Sequence, residues 1–257
     1  MMHKVVIIGS GNVAQHLIEA FQVEDQNKEI ELIQVYTRQK SALSHLLPWN
    51  KITDDFSSLA EADVYIICIT DDAIEEVSAK LPFKNRLVVH TSGSIPLTAI
   101  HEDNRKGVFY PLQTFTKNKK VDFSKIPICL ESENAPDYHM LLKIAQSISK
   151  KVYAINSEQR RALHVAAVFA NNFTNHLFQI SQEICQDNQI PFEILKPLIF
   201  ETVEKLAVLT PQEAQTGPAK RNDQKTIEAH EAFLAHKKYL NIYKILTQSI
   251  QENVKKL

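Results

Sequence analysis

The sequence predicts an α/β fold: a doubly wound, mostly parallel sheet followed by an all-α C-terminal domain. Three observations predict it. Short β-branched runs alternate with helical patterns over the first half of the chain, as parallel strands and crossover helices do. Four of the five glycines (Gly9, Gly11, Gly93 and Gly107) lie within residues 1–107, which concentrates tight turns there. Beyond Ser157 only Gly217 remains, and the pattern turns helical. At 257 residues the chain divides into a sheet domain at 1–156 and a helical domain at 157–257.

The elements follow in order. Lys4–Ile8 reads as a strand, and a helix begins at Val13–Phe21. Ile30–Tyr36 is a second strand, Ser41–Leu47 a helical piece and Lys51–Thr53 a short third strand. Val64–Ile69 and Leu87–His90 are continuous apolar runs, expected of parallel strands buried on both faces. Asp71 and Asp72 are suited to cap a helix through Ala73–Val77. Further strands are expected at Val108–Tyr110, Ile126–Leu130 and Val152–Ile155. Ser157 is placed to cap a helix that runs to about Asp187. Pro191 opens the next helix, Pro197 kinks or restarts it, and a loop spans Thr210–Asp223. Two helices complete the chain.

Composition narrows the partners. Lys and Arg number 29 against 30 Asp and Glu, which leaves no basic excess for a nucleic-acid backbone. Cys68, Cys129 and Cys185 are few and far apart, as in a reduced cytoplasmic protein rather than a disulfide scaffold. The N-terminus runs straight into a strand without an apolar leader. Ala162 to Gln182 carries no formal charge, but its His and Asn residues are too polar to face lipid. It is expected to be a buried helix, and no membrane partner is expected.

Gly9-Ser10-Gly11-Asn12-Val13-Ala14 fits G-x-G-x-x-G/A between a strand and a helix. The first glycine permits the turn, and the second lets the backbone approach a pyrophosphate. Ala14 is small enough for the helix to pack on the strand. The free amides and the helix dipole at Asn12–Val13 favour the anion. The second strand ends Tyr36-Thr37-Arg38-Gln39-Lys40, with no acid to bond a ribose 2′-hydroxyl. Arg38 and Thr37 instead suit a 2′-phosphate, so the expected cofactor is NADP rather than NAD. Other strand tips supply Thr70, Ser92 and Gly93 toward the cofactor and Gln113 toward the substrate.

His164 and Asn171 are seven residues apart on the long helix, and Asn175 follows four later, so the three are expected on one face. Ala166, Ala167, Val168, Phe169, Ala170 and Phe173 around them look buried. Buried His and Asn need hydrogen-bond partners, which either a substrate or neighbouring helices would supply. Histidine titrates near neutrality, as a proton donor for carbonyl reduction requires. In Thr216–Asp223, Asp223 suits a helix cap, and Arg221 is either a substrate-anion ligand or part of a solvated turn. No metal site is expected.

Together Gly9–Ala14, His90–Ser94, Tyr110–Phe115, His164 with Asn171–Asn172, and Thr216-Gly217-Pro218 with Arg221 and Asp223 resemble one bacterial family. Its members are NADP oxidoreductases pairing a Rossmann-like domain with a C-terminal helical domain of unassigned function. The likeness spans nearly the whole chain. More distantly the layout is similar to β-hydroxyacid dehydrogenases, ketopantoate reductase, pyrroline-5-carboxylate reductase and deazaflavin-dependent NADP reductases, with a 6-phosphogluconate dehydrogenase-like helical domain. The resemblance implies a cofactor in the Rossmann cleft, a small-molecule substrate between the domains and a homodimer through the helical domain.

One departure matters. β-Hydroxyacid dehydrogenases carry a lysine four residues before an asparagine on the interdomain helix, whereas here Ala167 and Val168 precede Asn171 and Asn172. His164 is then the best proton donor, Asn171 orients the substrate, and Arg221 offers charge. The alternative is an NADP-binding sensor or scaffold without catalysis.

Overall fold

The computed structural model describes residues 2–25, 30–117 and 119–255. The chain forms two compact units, Met1–Asn171 and Asn172–Leu257. The first holds one eight-stranded sheet: β1 (His3–Ile8), β2 (Ile30–Tyr36), β3 (Ile52–Thr53), β4 (Val64–Ile67), β5 (Leu87–His90), β6 (Arg105–Pro111), β7 (Ile128–Ser132) and β8 (Val152–Ala154). The strand order is β3-β2-β1-β4-β5-β6-β7-β8. Every pairing is parallel except β6 with β7. All eight strands lie where the sequence places them, with edges that differ by a few residues.

β1, β4 and β5 run through the middle of the sheet, and their apolar residues are buried on both faces. Val5 and Ile7 join a cluster with Leu17, Ile18 and Phe21 from α1 (Asn12–Asp25). Val6 and Ile8 point the other way, to a cluster that includes Tyr65, Ile67 and Ile74. Ile74 opens α2 (Ile74–Ala79). The helix α3 (Ala135–Ile148) starts from Asn134, whose side chain accepts the Asp137 N–H, and packs on the Val5 face.

Three local expectations are corrected. Asp71 and Asp72 cap nothing: they occupy a short 3₁₀ turn ahead of α2, where acids still favour the helix dipole. α4 (Ser157–Ala167) is capped by Asn156 rather than Ser157, in a capping box with Gln159. Ser41–Leu47 contains only a 3₁₀ turn at Lys40–Leu43.

Helical structure does run from Ser157 to Asp187, but Val168–Phe173 is π-helical, and α5 (Thr174–Asp187) follows. The run is also not buried along its length. Val165, Phe169 and Phe173 are at least half exposed, Ala166 and Ala170 are exposed, and Ala167 and Val168 are half-buried. Absence of charge marked an apolar surface there, not a core.

The second unit continues with α6 (Lys196–Glu204), which Pro197 enters at its first turn. The Thr210–Asp223 segment is not a plain loop: it contains α7 (Pro211–Ala214) and α8 (Pro218–Arg221). Gly217, at φ 103°, makes the turn into α8. Asp223 caps α9 (Gln224–Phe233) as expected, and α10 (Leu240–Lys255) follows. Among the described residues no helix is long and apolar enough to cross a membrane.

Candidate functional site

Parallel pairing brings the carboxyl ends of β1, β2, β4 and β5 to one edge of the sheet. Strand order reverses between β1 and β4, the position where doubly wound sheets open a ligand crevice. Gly9 leaves β1 there with φ 134°, and its N–H donates to the Tyr36 carbonyl at 2.9 Å. A Cβ on Gly9 would fall 2.1 Å from the Cys68 carbonyl oxygen, so both torsion and space demand glycine. A Cβ on Gly11 would meet nothing within 4 Å. The turn thus folds tightly at its first glycine and leaves open space at its second.

That arrangement fits a dinucleotide pyrophosphate. The turn feeds directly into α1, so the amides of Asn12 and Val13 lie at the positive end of a 14-residue helix. The buried Thr37 hydroxyl donates to Ser10 Oγ at 2.9 Å, joining the β2 tip to the turn and leaving the Ser10 proton to donate elsewhere. The Asn12 amide side chain donates to the Phe115 carbonyl at 3.0 Å. Asn12 therefore offers a ligand its backbone rather than its side chain.

At the β2 tip, Lys40 is paired with Asp54 at 2.8 Å, while the exposed Arg38 has no ion-pair or hydrogen-bond partner among the described residues. It is a free cation where a 2′-phosphate is expected. Thr70 is exposed beyond β4, and its side chain caps nothing.

The ends of β5 and β6 meet α4. The Tyr110 hydroxyl lies 3.2 Å from His164 Nδ1, with the rings edge to face. Gly93 sits directly against both: a Cβ there would fall 2.5 Å from His164 Nδ1 and 2.9 Å from Tyr110 Cζ. Burial pushes the Tyr110 hydroxyl up to about 12, so it keeps its proton. Cys129 adds to the rise and Arg160 opposes it.

The loop after β5 is set by its own side chains. His90 Nδ1 accepts the Ser92 N–H at 3.2 Å, which leaves Nε2–H to donate to the Pro96 carbonyl at 3.3 Å. Burial, with Arg160 nearby, lowers His90 to about 4 and keeps it neutral. Ser92 Oγ accepts from Ser94 and Ile95 N–H, both at 3.0 Å, and so shapes the loop. On α4, the buried Arg160 pairs with Glu131 and donates to the Ile95 carbonyl at 2.6 Å. Tyr110, Arg160 and Glu131 went unassigned in the sequence. Tyr110 stood within a strand-tip motif, and Arg160 lies four residues before His164, but only the fold brings them together.

The other expected residues are more dispersed. Asn171 is exposed on the π-helical turns, whose i→i+5 bonds take more residues per turn than an α-helix. Seven residues across this stretch span fewer turns than in an α-helix, so the α-helical spacing read between His164 and Asn171 does not describe the run there. Gln113 is exposed, with Oε1 accepting the Thr114 N–H at 2.8 Å. In the second unit, Asn175 lines a cavity of about 390 Å³ with Phe178, Phe192, Lys196 and Phe200. Arg221 ends α8, exposed, and its side chain has no hydrogen-bond or ion-pair partner among the described residues. Among the described residues, no group of three or more His, Cys, Asp or Glu side chains is placed to hold a metal.

Comparisons with known proteins accord with this geometry. The family described as "NADP oxidoreductase coenzyme F420-dependent" matches residues 4–93. The family described as "Domain of unknown function (DUF2520)" matches residues 126–250. A crystal structure from Bacteroides fragilis, provisionally described as an NADP oxidoreductase, is 36% identical over 97% of this chain and 98% of its own, with a TM-score of 0.86. A Thermotoga maritima protein shares the fold at 20% identity, 98% coverage of both chains and a TM-score of 0.75. Streptococcus pyogenes 1-pyrroline-5-carboxylate reductase does so at 15% identity, covering 100% of this chain and 99% of its own, with a TM-score of 0.64. No curated protein matches the sequence. The chain belongs to the NADP oxidoreductase family in which this N-terminal domain precedes a DUF2520 domain.

Proposed function

We propose that the protein is an NADP(H)-dependent oxidoreductase acting on a small anionic substrate, with the proton exchanged at His164 Nε2. The single observation that carries the catalytic part is the Tyr110–His164 contact beside Gly93, on the sheet edge that also holds the glycine turn. The cofactor is NADP(H), held through the backbone of Gly9, Ser10, Gly11, Asn12 and Val13, with Thr37 and Arg38 at the ribose phosphate. Thr70, Ser92 and Gly93 border it on the same edge. When bound, its nicotinamide supplies or accepts hydride.

The chain's own residues manage the proton. Tyr110, kept protonated by burial, has its oxygen 3.2 Å from His164 Nδ1, and in this reading it accepts Nδ1–H. That bond orients the imidazole and frees Nε2 to give a proton to a forming alkoxide or amine, or to take one in the reverse direction. Gly93 lets the ring sit close to the loop. Asn171, Gln113 and Asn175 are the candidate hydrogen-bonding groups for substrate, and Arg221 is the candidate for its negative charge.

The same reading makes the protein a homodimer through its helical unit. Among the described residues, the three apolar core clusters draw only on residues up to Leu163, and the second unit buries few apolar side chains, Ile180 and Ile227 among them. In the second unit Ile194, Leu198, Phe200, Val203 and Val208 are all more than half exposed. A second copy of this chain is the partner that buries such a surface.

A screen of small carbonyl and imine compounds for NADPH oxidation tests the assignment. An active compound is expected, with turnover reduced by about 10²- to 10⁴-fold in His164→Ala. Undiminished turnover in that variant removes His164 as the proton donor. Silence across a wide panel favours a binding protein without catalysis.

A further inference from the structure

Arg160 lies one helical turn before His164 on α4, so the two side chains share a face. Arg160 is 1% exposed, and its guanidinium reaches two other parts of the fold. Nη1 pairs with the Glu131 carboxylate on β7. Nη2 donates to the Ile95 carbonyl at 2.6 Å and to Ser157 Oγ at 3.2 Å. Ser157 Oγ accepts the Leu97 N–H at 3.0 Å and donates to Glu131 at 2.8 Å. Ile95 and Leu97 continue the loop that carries Gly93. Cys129, two residues before Glu131 on β7, stands opposite Tyr110 in the antiparallel register. One cation therefore joins the helix bearing His164 to the loop its ring packs on and to the strand beside Tyr110.

An apolar side chain would attach a helix to a sheet at least as stably as a buried ion pair. What a guanidinium adds is direction, because its planar N–H groups fix the angle as well as the distance of each partner. The site has little slack, since a single methyl on Gly93 would collide with the imidazole. We propose that Arg160 is a positioning residue, which sets α4 against the 91–97 loop and so holds His164 Nδ1 on the Tyr110 hydroxyl. This deepens the function proposed above and rests on it for the role of the pair. Electrostatics agree: Cys129, Arg160 and Asp71 are the charged or titratable groups acting on Tyr110, and Arg160 alone opposes its rise.

Long-range nitrogen–proton NMR on the full-length, histidine-labelled protein tests this without any substrate. His164→Ala assigns the ring, and the spectrum reports which nitrogen carries the proton of the neutral imidazole. Free imidazole side chains favour Nε2–H, whereas donation to Tyr110 requires Nδ1–H. The wild type is expected to show Nδ1–H, and Tyr110→Phe to shift toward Nε2–H. Arg160→Met is expected to reproduce at least half of that shift while retaining helical circular dichroism and cooperative unfolding. A folded Arg160→Met protein with the wild-type tautomer overturns the proposal. If that variant does not fold, Arg160→Lys, which keeps the charge but replaces the planar two-nitrogen fork with a single nitrogen, must shift His164 the same way. A wild-type spectrum in Arg160→Lys then overturns it. Lack of turnover in a substrate screen counts only against the catalytic reading, because the tautomer is measured in its absence.

Discussion

The Tyr110 hydroxyl and His164 Nδ1 are 3.2 Å apart although 54 residues separate them in the chain. One comes from the end of β6 and the other from the last turn of α4, with Gly93 from the β5 loop packed against both. Proton exchange at His164 depends on this convergence.

Gly93→Ala is expected to damage activity more than stability. The new methyl would lie 2.5 Å from His164 Nδ1, and the imidazole, only half-buried, can rotate away. The cost of crowding should therefore stay near the lower end of its usual range, about 1 kcal/mol by chemical denaturation. Turnover should fall by on the order of 10²-fold, because the displaced ring no longer meets Tyr110. Full activity in a folded Gly93→Ala protein contradicts this packing.

His90 makes stability depend on pH. The unfolded ring takes up a proton below about pH 6.5, whereas the folded ring resists until about pH 4. Between those values the unfolded chain binds more protons, so stability falls as pH falls. The contribution is fully present above pH 6.5 and is lost progressively down to about pH 4. At pH 5 the loss from this group should be about 2 kcal/mol relative to pH 7. Denaturant melts at both pH values measure it, and His90→Asn should flatten the difference. The same slope in both proteins would show that His90 is not its source.

Sedimentation at micromolar concentration should find a dimer. Leu198→Asp, at a side chain 64% exposed, should shift the equilibrium toward monomer without unfolding the sheet unit. A wild-type monomer refutes the assembly.

Local pattern was enough to read the sheet, because most of its strands carry a short apolar run and each run is its own signal. The glycine turn was equally legible: a positive φ and a close carbonyl at Gly9 are demands that one residue type meets. Caps were less so. Asn156 and Ser157 both suit the position, and Gln159, three residues after Asn156, was the sign that favoured the first. The π-helical turns at Val168–Phe173 leave no mark in a seven-residue spacing, so the α-helical period read between His164 and Asn171 did not foresee them. Tyr110, Glu131 and Arg160 meet only through long-range pairing. No local pattern could assign them to His164.

The most direct test of the whole account is calorimetric titration of NADPH and NADH into the wild type and Arg38→Glu. The glycine turn predicts that both dinucleotides bind. The free guanidinium of Arg38 predicts that NADPH binds the wild type at least about tenfold more tightly, near 1.4 kcal/mol, and that Arg38→Glu erases the difference. Equal affinities in the wild type, or a preference that survives in Arg38→Glu, contradict the role of Arg38. No binding of either dinucleotide contradicts the account at its base.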